Sequence, residues 1–391
     1  MIPRSTRARS RNPRRIRLAT VVVVVGLLAA ACSSDSKSAG TSTPGTVALA
    51  TSSTASASST STAASTANTD ASGATTGTDQ ATTTVPVAPT YPLTGLPLLD
   101  PAAAKRPALV VKIDNNPEAR PQSGLDEADL VYEENVEELT RFAAVFHSNG
   151  ADPVGPIRSG RTQDVALLGS LNKPIFAWSG GNGRVTAAID SSDLVAVDET
   201  TAAKAMFRDK NRKGPHNLYG TVSALYSFAP ADAGPPPPQF QYRAAGSAPT
   251  GAPADGVKVS MDGVRVLWQW SAASSTYLRF SDGKVHKDAI NDGQVATSNV
   301  VVLTVDYRPS PADGRSPEAQ TIGNGEVLVF TAGTVVHGTW TRADRLAAFT
   351  LSADDGSPIL LTPGHTFVEL ARTSTAAIVP KGIDPGTVSY P

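Results

Sequence analysis

The 391 residues contain one cysteine, Cys32, and five histidines, and no apolar run long enough to span a bilayer. A single thiol forms no intramolecular disulfide, and a lone cysteine in an exported chain needs another use. The histidines His147, His216, His286, His337 and His365 lie far apart without paired ligand spacing, so no metal site is expected. HExxH, GxGxxG, the P-loop and GxSxG are all missing, which removes the sequence signatures of zinc proteases, dinucleotide and nucleotide binders and α/β-hydrolases. No cofactor is called for. Ser170-Leu171-Asn172-Lys173 fits SxxK, but the serine falls at the end of an expected helix, Pro174 follows at once and no KTG appears downstream.

Basic charge is scarce once the first 31 residues are set aside. That leader holds seven arginines and no acid; without it 27 basic groups face 35 acidic ones, a net charge of −8. Phosphate-neutralising contacts drive nucleic-acid binding, so no nucleic-acid partner is expected. The leader itself is an arginine-rich start followed by an apolar run over 18–31, shorter than the ~20 residues that span a membrane but suited to a signal-peptide core. It ends in Leu28-Ala29-Ala30-Ala31-Cys32, the pattern of a bacterial lipobox. Cys32 is therefore the expected lipidation site, the lipid bilayer the expected partner, and the extracytoplasmic face of the cell membrane the expected location. Residues 32–91 are dominated by Ser, Thr, Ala and Gly, too poor in apolar area to offset the entropy of ordering. They are expected to be a disordered tether with a root-mean-square span of roughly 40 Å.

Periodicity changes near Pro92. Residues 108–113 (ALVVKI) form an apolar run between Pro107 and the turn-like Asp114-Asn115-Asn116-Pro117, hence a buried strand. Residues 130–134, 141–146 and 175–179 read as further strands. Apolar positions in 162–171 are spaced for a helix that stops before Pro174, and 184–190 suits a short second helix. The expectation for 92–234 is a mixed α/β domain. Pro235 to Pro238 and an Ala/Gly/Pro-rich stretch make 235–256 a spacer. Beyond it, strands are expected at 257–260, 264–270, 276–280, 300–306, 326–331, 335–340, 347–351 and 366–370, punctuated by Asp262-Gly263, Asp282-Gly283 and Asp355-Gly356. The fold class expected is α+β, with a mostly antiparallel β domain over 257–391.

Five motifs stand in order in the first half: Arg120-Pro121-Gln122-Ser123-Gly124-Leu125, Ala128-Asp129-Leu130-Val131-Tyr132-Glu133, Thr140-Arg141-Phe142, Gly155-Pro156-Ile157-Arg158-Ser159-Gly160-Arg161 and Pro215-His216-Asn217-Leu218-Tyr219. With Tyr277-Leu278-Arg279, His286-Lys287-Asp288, Asn299-Val300-Val301-Val302 and Gly338-Thr339-Trp340, they resemble the YerB-like family of bacterial lipoproteins over nearly all of 92–375. The resemblance implies a two-domain α+β lipoprotein. It supplies no reaction, because the family's domain is one of unknown function.

The chemistry has to come from the residues. Arg158 and Arg161, with Ser159 between them, fall in a Gly/Pro-rich loop ahead of the helix expected from Thr162, where free N–H groups and the dipole favour an anion. Guanidinium forks suit phosphate or carboxylate. The alternative is that these arginines pair internally with Glu133, Glu134 or Asp129 and hold the domain together. Family resemblance adds Arg120 and Arg141 to the candidate anion site. It also adds a candidate polar pocket of Gln122, Glu133, Thr140, His216 and Asn217. Two function classes follow. One is a non-catalytic envelope module binding an anionic polymer or headgroup. The other is a hydrolase or transferase acting on acidic or phosphorylated glycans, with a carboxylate or His216 as acid/base, which a convergent Glu133, His216 and arginine pocket would favour.

Overall fold

The computed structural model describes residues 88–391, so the leader, Cys32 and nearly all of the 32–91 tether lie outside them. The described part is built on strands whose two faces are both apolar. In β1 (Leu109–Asp114), β2 (Leu130–Val136) and β3 (Leu139–Phe146) every residue except Leu139 is buried. Side chains alternate across a strand. Leu109, Val111, Val131, Phe142 and Ala144 enter one apolar layer, and Val110, Leu130, Tyr132, Ala143 and Val145 the other. Burial on both faces is why these segments read as continuous apolar runs.

β1 lies antiparallel to β3 and parallel to β4 (Ile175–Ala177), which is followed in parallel by β5 (Val195–Val197). A separate two-stranded ribbon joins β6 (Met206–Arg208) to β7 (Leu218–Gly220). Among the described residues, helix is confined to α1 (Gln163–Leu167), α2 (Gly183–Asp190), α3 (Val222–Leu225) and short 3₁₀ turns. No helix among the described residues is long and apolar enough to cross a membrane.

In the second half, β8 (Ala252–Met261), β9 (Val264–Ser271) and β10 (Thr276–Ser281) form a meander, and β11 (Lys284–Val285) and β12 (Ala296–Thr297) both pair with β10. β13 (Asn299–Thr304) is followed by a side ribbon of β14 (Tyr307–Pro309) and β15 (Pro317–Ala319). Then come the long hairpin of β16 (Gly323–Thr331) and β17 (Thr334–Arg342), β18 (Thr350–Ala353) on β17, β19 (Thr366–Ala371), and β20 (Ala376–Pro380) on β8. One path runs β11-β10-β9-β8-β17-β16-β13-β19-β2-β3-β1-β4-β5. At its centre β19 is parallel to β13 on one side and to β2 on the other, so a strand from the end of the chain joins both halves into one sheet.

The expected α+β class is therefore corrected. Strand makes up 39% and helix 11%, and the first half holds little helix in place of a mixed α/β domain. The helix expected over 162–171 stops after five α-helical residues and passes into a 3₁₀ turn at Gly169–Leu171, which Asn172 and Lys173, at φ 59 and 56, end ahead of Pro174. β4 falls within the strand expected at 175–179, whereas β5, β6 and β7, of three residues each, are too short for any periodicity to announce. The stretch 235–256 packs on the core: Phe240 is buried in one apolar layer, Ser170 donates to Gln239 at 2.7 Å, and the Tyr242 hydroxyl bonds the Leu93 carbonyl.

Candidate functional site

The signature motifs lie on loops that the sheet brings together. Ser123 and Gly155 exchange amide–carbonyl hydrogen bonds of 2.8 and 3.0 Å, Val154 and Gly220 do so at 2.9 Å, and the Arg158 amide donates to the Lys112 carbonyl at 2.8 Å. Pro121, Pro153, Pro156 and Pro215 in these loops all follow cis peptide bonds. The candidate residues then separate into two places, one sealed and one facing solvent.

The sealed place lies against β2, β10 and β19. Glu133 accepts from Thr140 Oγ1 at 2.6 Å, Asn115 Nδ2 at 3.0 Å and Arg279 Nη2 at 2.5 Å. Arg279 also reaches Glu369 at 2.9 Å, and all three charged side chains are fully buried. Glu369 and Glu133 are register partners on adjacent parallel strands. Two carboxylates beside one guanidinium leave a negative charge uncompensated away from water, so burial first and the Glu133 charge second push the Glu369 pKa up to about 8. Its Oε1 accepts from Trp268 Nε1 at 2.7 Å, while its Oε2 has no partner. The Arg279 guanidinium also lies 5.1 Å from the Trp268 ring and 5.3 Å from that of Phe142.

A polar chain leads outward from this triad. Arg279 Nε donates to His286 Nδ1 at 3.1 Å, and His286 Nε2 donates to Gln122 Oε1 at 2.7 Å, because the Gln122 amide nitrogen is spent on the Asp114 carbonyl and Asn115 Oδ1. This pattern assigns a neutral imidazole. Burial, Arg279 and Arg120 hold the His286 pKa well below its ordinary value. Arg120 closes the chain, donating to Asn115 Oδ1 at 3.1 Å and pairing with Asp282 at 2.8 Å.

The second place is the 158–161 loop. Arg158 pairs with Asp114 at 3.0 Å, and the same carboxylate oxygen meets His216 Nδ1 at 2.7 Å. His216 Nε2 faces Glu118 at 4.0 Å. Arg161 is held by Glu137, with one contact of 2.9 Å. Burial opposes ionisation of Glu137, but the hydrogen bonds from Arg161 and Ser316 outweigh it and hold the carboxyl down at about 2. The amide of Arg161 is taken by Asp164 at 2.7 Å, so the start of α1 offers its first donor to its own chain. Arg141 donates to the Ser159 carbonyl at 2.7 Å. Burial and the nearby Arg161 depress its pKa to about 10. Beneath the loop, Lys112 is fully buried against Asp164 at 2.8 Å and against Glu134, and burial lowers its pKa to about 8.

Glu133 and His216 thus lie in different places and share no pocket. Asn217 accepts from Arg208 at 3.0 Å, in the β6–β7 loop. Internal pairing does hold Arg158 and Arg161, but through Asp114 and Glu137; Asp129 instead caps the amides of His147 and Ser148 at 2.5 and 2.7 Å. No local pattern marked Asp114, Lys112, Asp164, Arg279, His286 or Glu369 as partners. Asp114 read only as the start of a turn, and the other pairings join residues up to 164 positions apart. Among the described residues no group of three or more His, Cys, Asp or Glu is arranged to hold a metal ion.

Comparison with known proteins places this architecture. Residues 93–234 match the N-terminal domain, and residues 257–368 the C-terminal domain, of a protein family of unknown function, DUF3048. A Bacillus subtilis (strain 168) protein named "Putative lipoprotein YerB" is 29% identical over 316 residues, covering 74% of this chain and 88% of that protein. The crystal structure of the YerB protein from Bacillus subtilis superposes with a TM-score of 0.64 at 24% identity, covering 74% of this chain and 99% of the other, and so shares the fold. With both domains present in order, and with the motif resemblance pointing to the same proteins, the chain belongs to the DUF3048 family.

Proposed function

We propose that the protein is a lipoprotein anchored through Cys32 on the extracytoplasmic face of the membrane, and that its folded part is a non-catalytic module binding an anionic envelope ligand. The anchor rests on the lipobox and on similarity to a protein named as a lipoprotein. In Cys32→Ala the anchor is lost while every described core residue is untouched, so the protein moves from the membrane to the soluble fraction; retention in salt-washed membranes would refute the anchor.

One observation carries the ligand reading. Arg141, Arg158 and Arg161 converge on one loop, but only Arg158 and Arg161 have a carboxylate within salt-bridge distance among the described residues. Arg141 is 8% exposed and has the Ser159 carbonyl as its side-chain hydrogen-bond acceptor. A desolvated cation whose nearby carboxylates, Asp114 and Glu137, are already paired with Arg158 and Arg161 is costly, and an anion lodged on the loop beside it would offset that cost. Arg158, with 27% of its side chain exposed, is the accessible contact.

Inorganic phosphate added to the detergent-purified chain is then expected to raise the melting temperature. Arg158→Gln weakens phosphate binding about tenfold or more, since charge-assisted contacts are worth roughly 1.5–3 kcal/mol. Arg141→Met raises the melting temperature without phosphate and removes the increment phosphate gives. Unchanged affinity in both variants, with a large stability loss in Arg158→Gln, would mean that the arginines only hold the fold.

The enzymatic alternative draws on one contact. Asp114 orients His216 through Nδ1 at 2.7 Å, leaving Nε2 facing Glu118 at 4.0 Å, which is the arrangement of a carboxylate-oriented general base. Phosphodiester or glycan cleavage by the purified chain that disappears in His216→Gln would establish it.

A further inference from the structure

We infer a second binding site, for a neutral saccharide, in the pocket between the β6–β7 ribbon and the loop at Ala289 and Ile290. The pocket has a volume of about 330 Å³ and is lined by Phe207, Tyr219, Asp152, Asp209, Arg212 and Ile290, among others. That volume is at the small end of ligand pockets and matches one sugar ring better than an extended polymer. Its wall is an aromatic platform. Phe207 stacks on Tyr219 with centroids 6.2 Å apart and planes 25° from parallel, and Phe207 is 46% exposed. An exposed aromatic face in a soluble protein removes little water from itself and gains by covering a flat, weakly polar partner, which the C–H face of a pyranose provides.

The rim supplies the complementary hydrogen bonds. Asp209 Oδ1 caps the Asn211 amide at 2.8 Å and Asp152 Oδ2 accepts from Ser223 at 2.7 Å, so each carboxylate keeps an oxygen for hydroxyl donors. The charge balance selects against a cation. Arg212 is fixed by the Ala119 and Pro121 carbonyls at 2.6 and 2.9 Å, and its guanidinium lies 5.8 Å from the Tyr219 ring, occupying the cation-binding face. With one of the two acids offset in this way, a hydroxyl-rich neutral ligand fits better than an ammonium. The site is separate from the arginine loop, since none of Arg141, Arg158 and Arg161 lines the pocket.

The test is ligand-observed saturation-transfer NMR on the detergent-purified full chain, with the β-1,4-linked tetramer of N-acetylglucosamine and, as a second probe, a glucose tetramer. Transfer to ring protons of at least one probe is expected. It should weaken about tenfold in Phe207→Ala, which removes the stacking face, and fall similarly in Asp209→Asn. It should persist in Arg158→Gln and in excess inorganic phosphate, both of which act on the other site. Melting temperature checks that Phe207→Ala is folded. No transfer from either probe at millimolar concentration, or equal transfer in wild type and folded Phe207→Ala, overturns the inference. Transfer abolished by phosphate would assign the signal to the arginine loop and overturn it too.

Discussion

Arg279→Met is expected to lower the free energy of unfolding by about 3–5 kcal/mol, or to prevent folding, when measured by urea denaturation. The methionine fills much of the same space, so the loss is electrostatic. Glu133 and Glu369 remain as register neighbours with no cation between them, both fully buried. Each then has to be protonated or left unpaired, and a buried ion deprived of its partner costs far more than the intact pair ever contributed. The triple variant Arg279→Met with Glu133→Gln and Glu369→Gln tests the cause, since it removes the stranded charges along with the cation. Recovery of most of the stability identifies the uncompensated carboxylates as the source. A triple variant as unstable as Arg279→Met alone would instead place the loss in packing against Phe142, Trp268 and Phe367.

Glu369→Gln is expected to act in the opposite direction and to change the pH profile. The folded-state pKa of Glu369 lies above the 4.5 of an ordinary glutamate, so the folded protein holds a proton that the unfolded chain releases. Stability from this group is complete below about pH 4.5 and is lost as pH rises through about 8. Glutamine imitates the protonated carboxyl and cannot ionise. The variant should therefore match the parent near pH 4 and exceed it at pH 8 by about 4 kcal/mol. His286 works at the acid side with the other sign. Its folded pKa is depressed, so its contribution is complete above about pH 6.5 and is lost as the pH falls toward the folded value. Parallel stability curves for the parent and Glu369→Gln between pH 5 and 9 would mean that the carboxyl is ionised throughout.

The fate of individual residues shows what was legible in the sequence. Long strands were, because burial on both faces writes runs such as 108–113 and 299–304 directly into composition. Helix was overread at 162–171, where apolar spacing was right but only Gln163–Leu167 is α-helical and Gly169–Leu171 tightens into a 3₁₀ turn. Internal ion pairs for the loop arginines were weighed with Glu133, Glu134 or Asp129 as the acids; the pairs formed, with Asp114 and Glu137 instead. His286 read as one more isolated histidine and is 2% exposed at the centre of a hydrogen-bonded chain. Nothing local distinguishes it from His337, which is half exposed and whose pKa is raised first by its hydrogen bond with Asp354. Pairing across more than a hundred residues is set by sheet order, and sheet order depends on where β19 inserts.

That insertion governs how the molecule can be made. β2 and β13 are joined only through the segment Thr366–Ala371 that slots between them, and this segment lies far beyond both in sequence. Contacts of such long sequence separation fold slowly, because the loop must be closed before any pairing rewards it. Until then the emerging chain carries two central strands with bare hydrogen-bonding edges and apolar faces, the species most prone to intermolecular pairing. A chain stalled before Thr366 would present those edges to other copies of itself, and its protection from association would coincide with completion of the sheet.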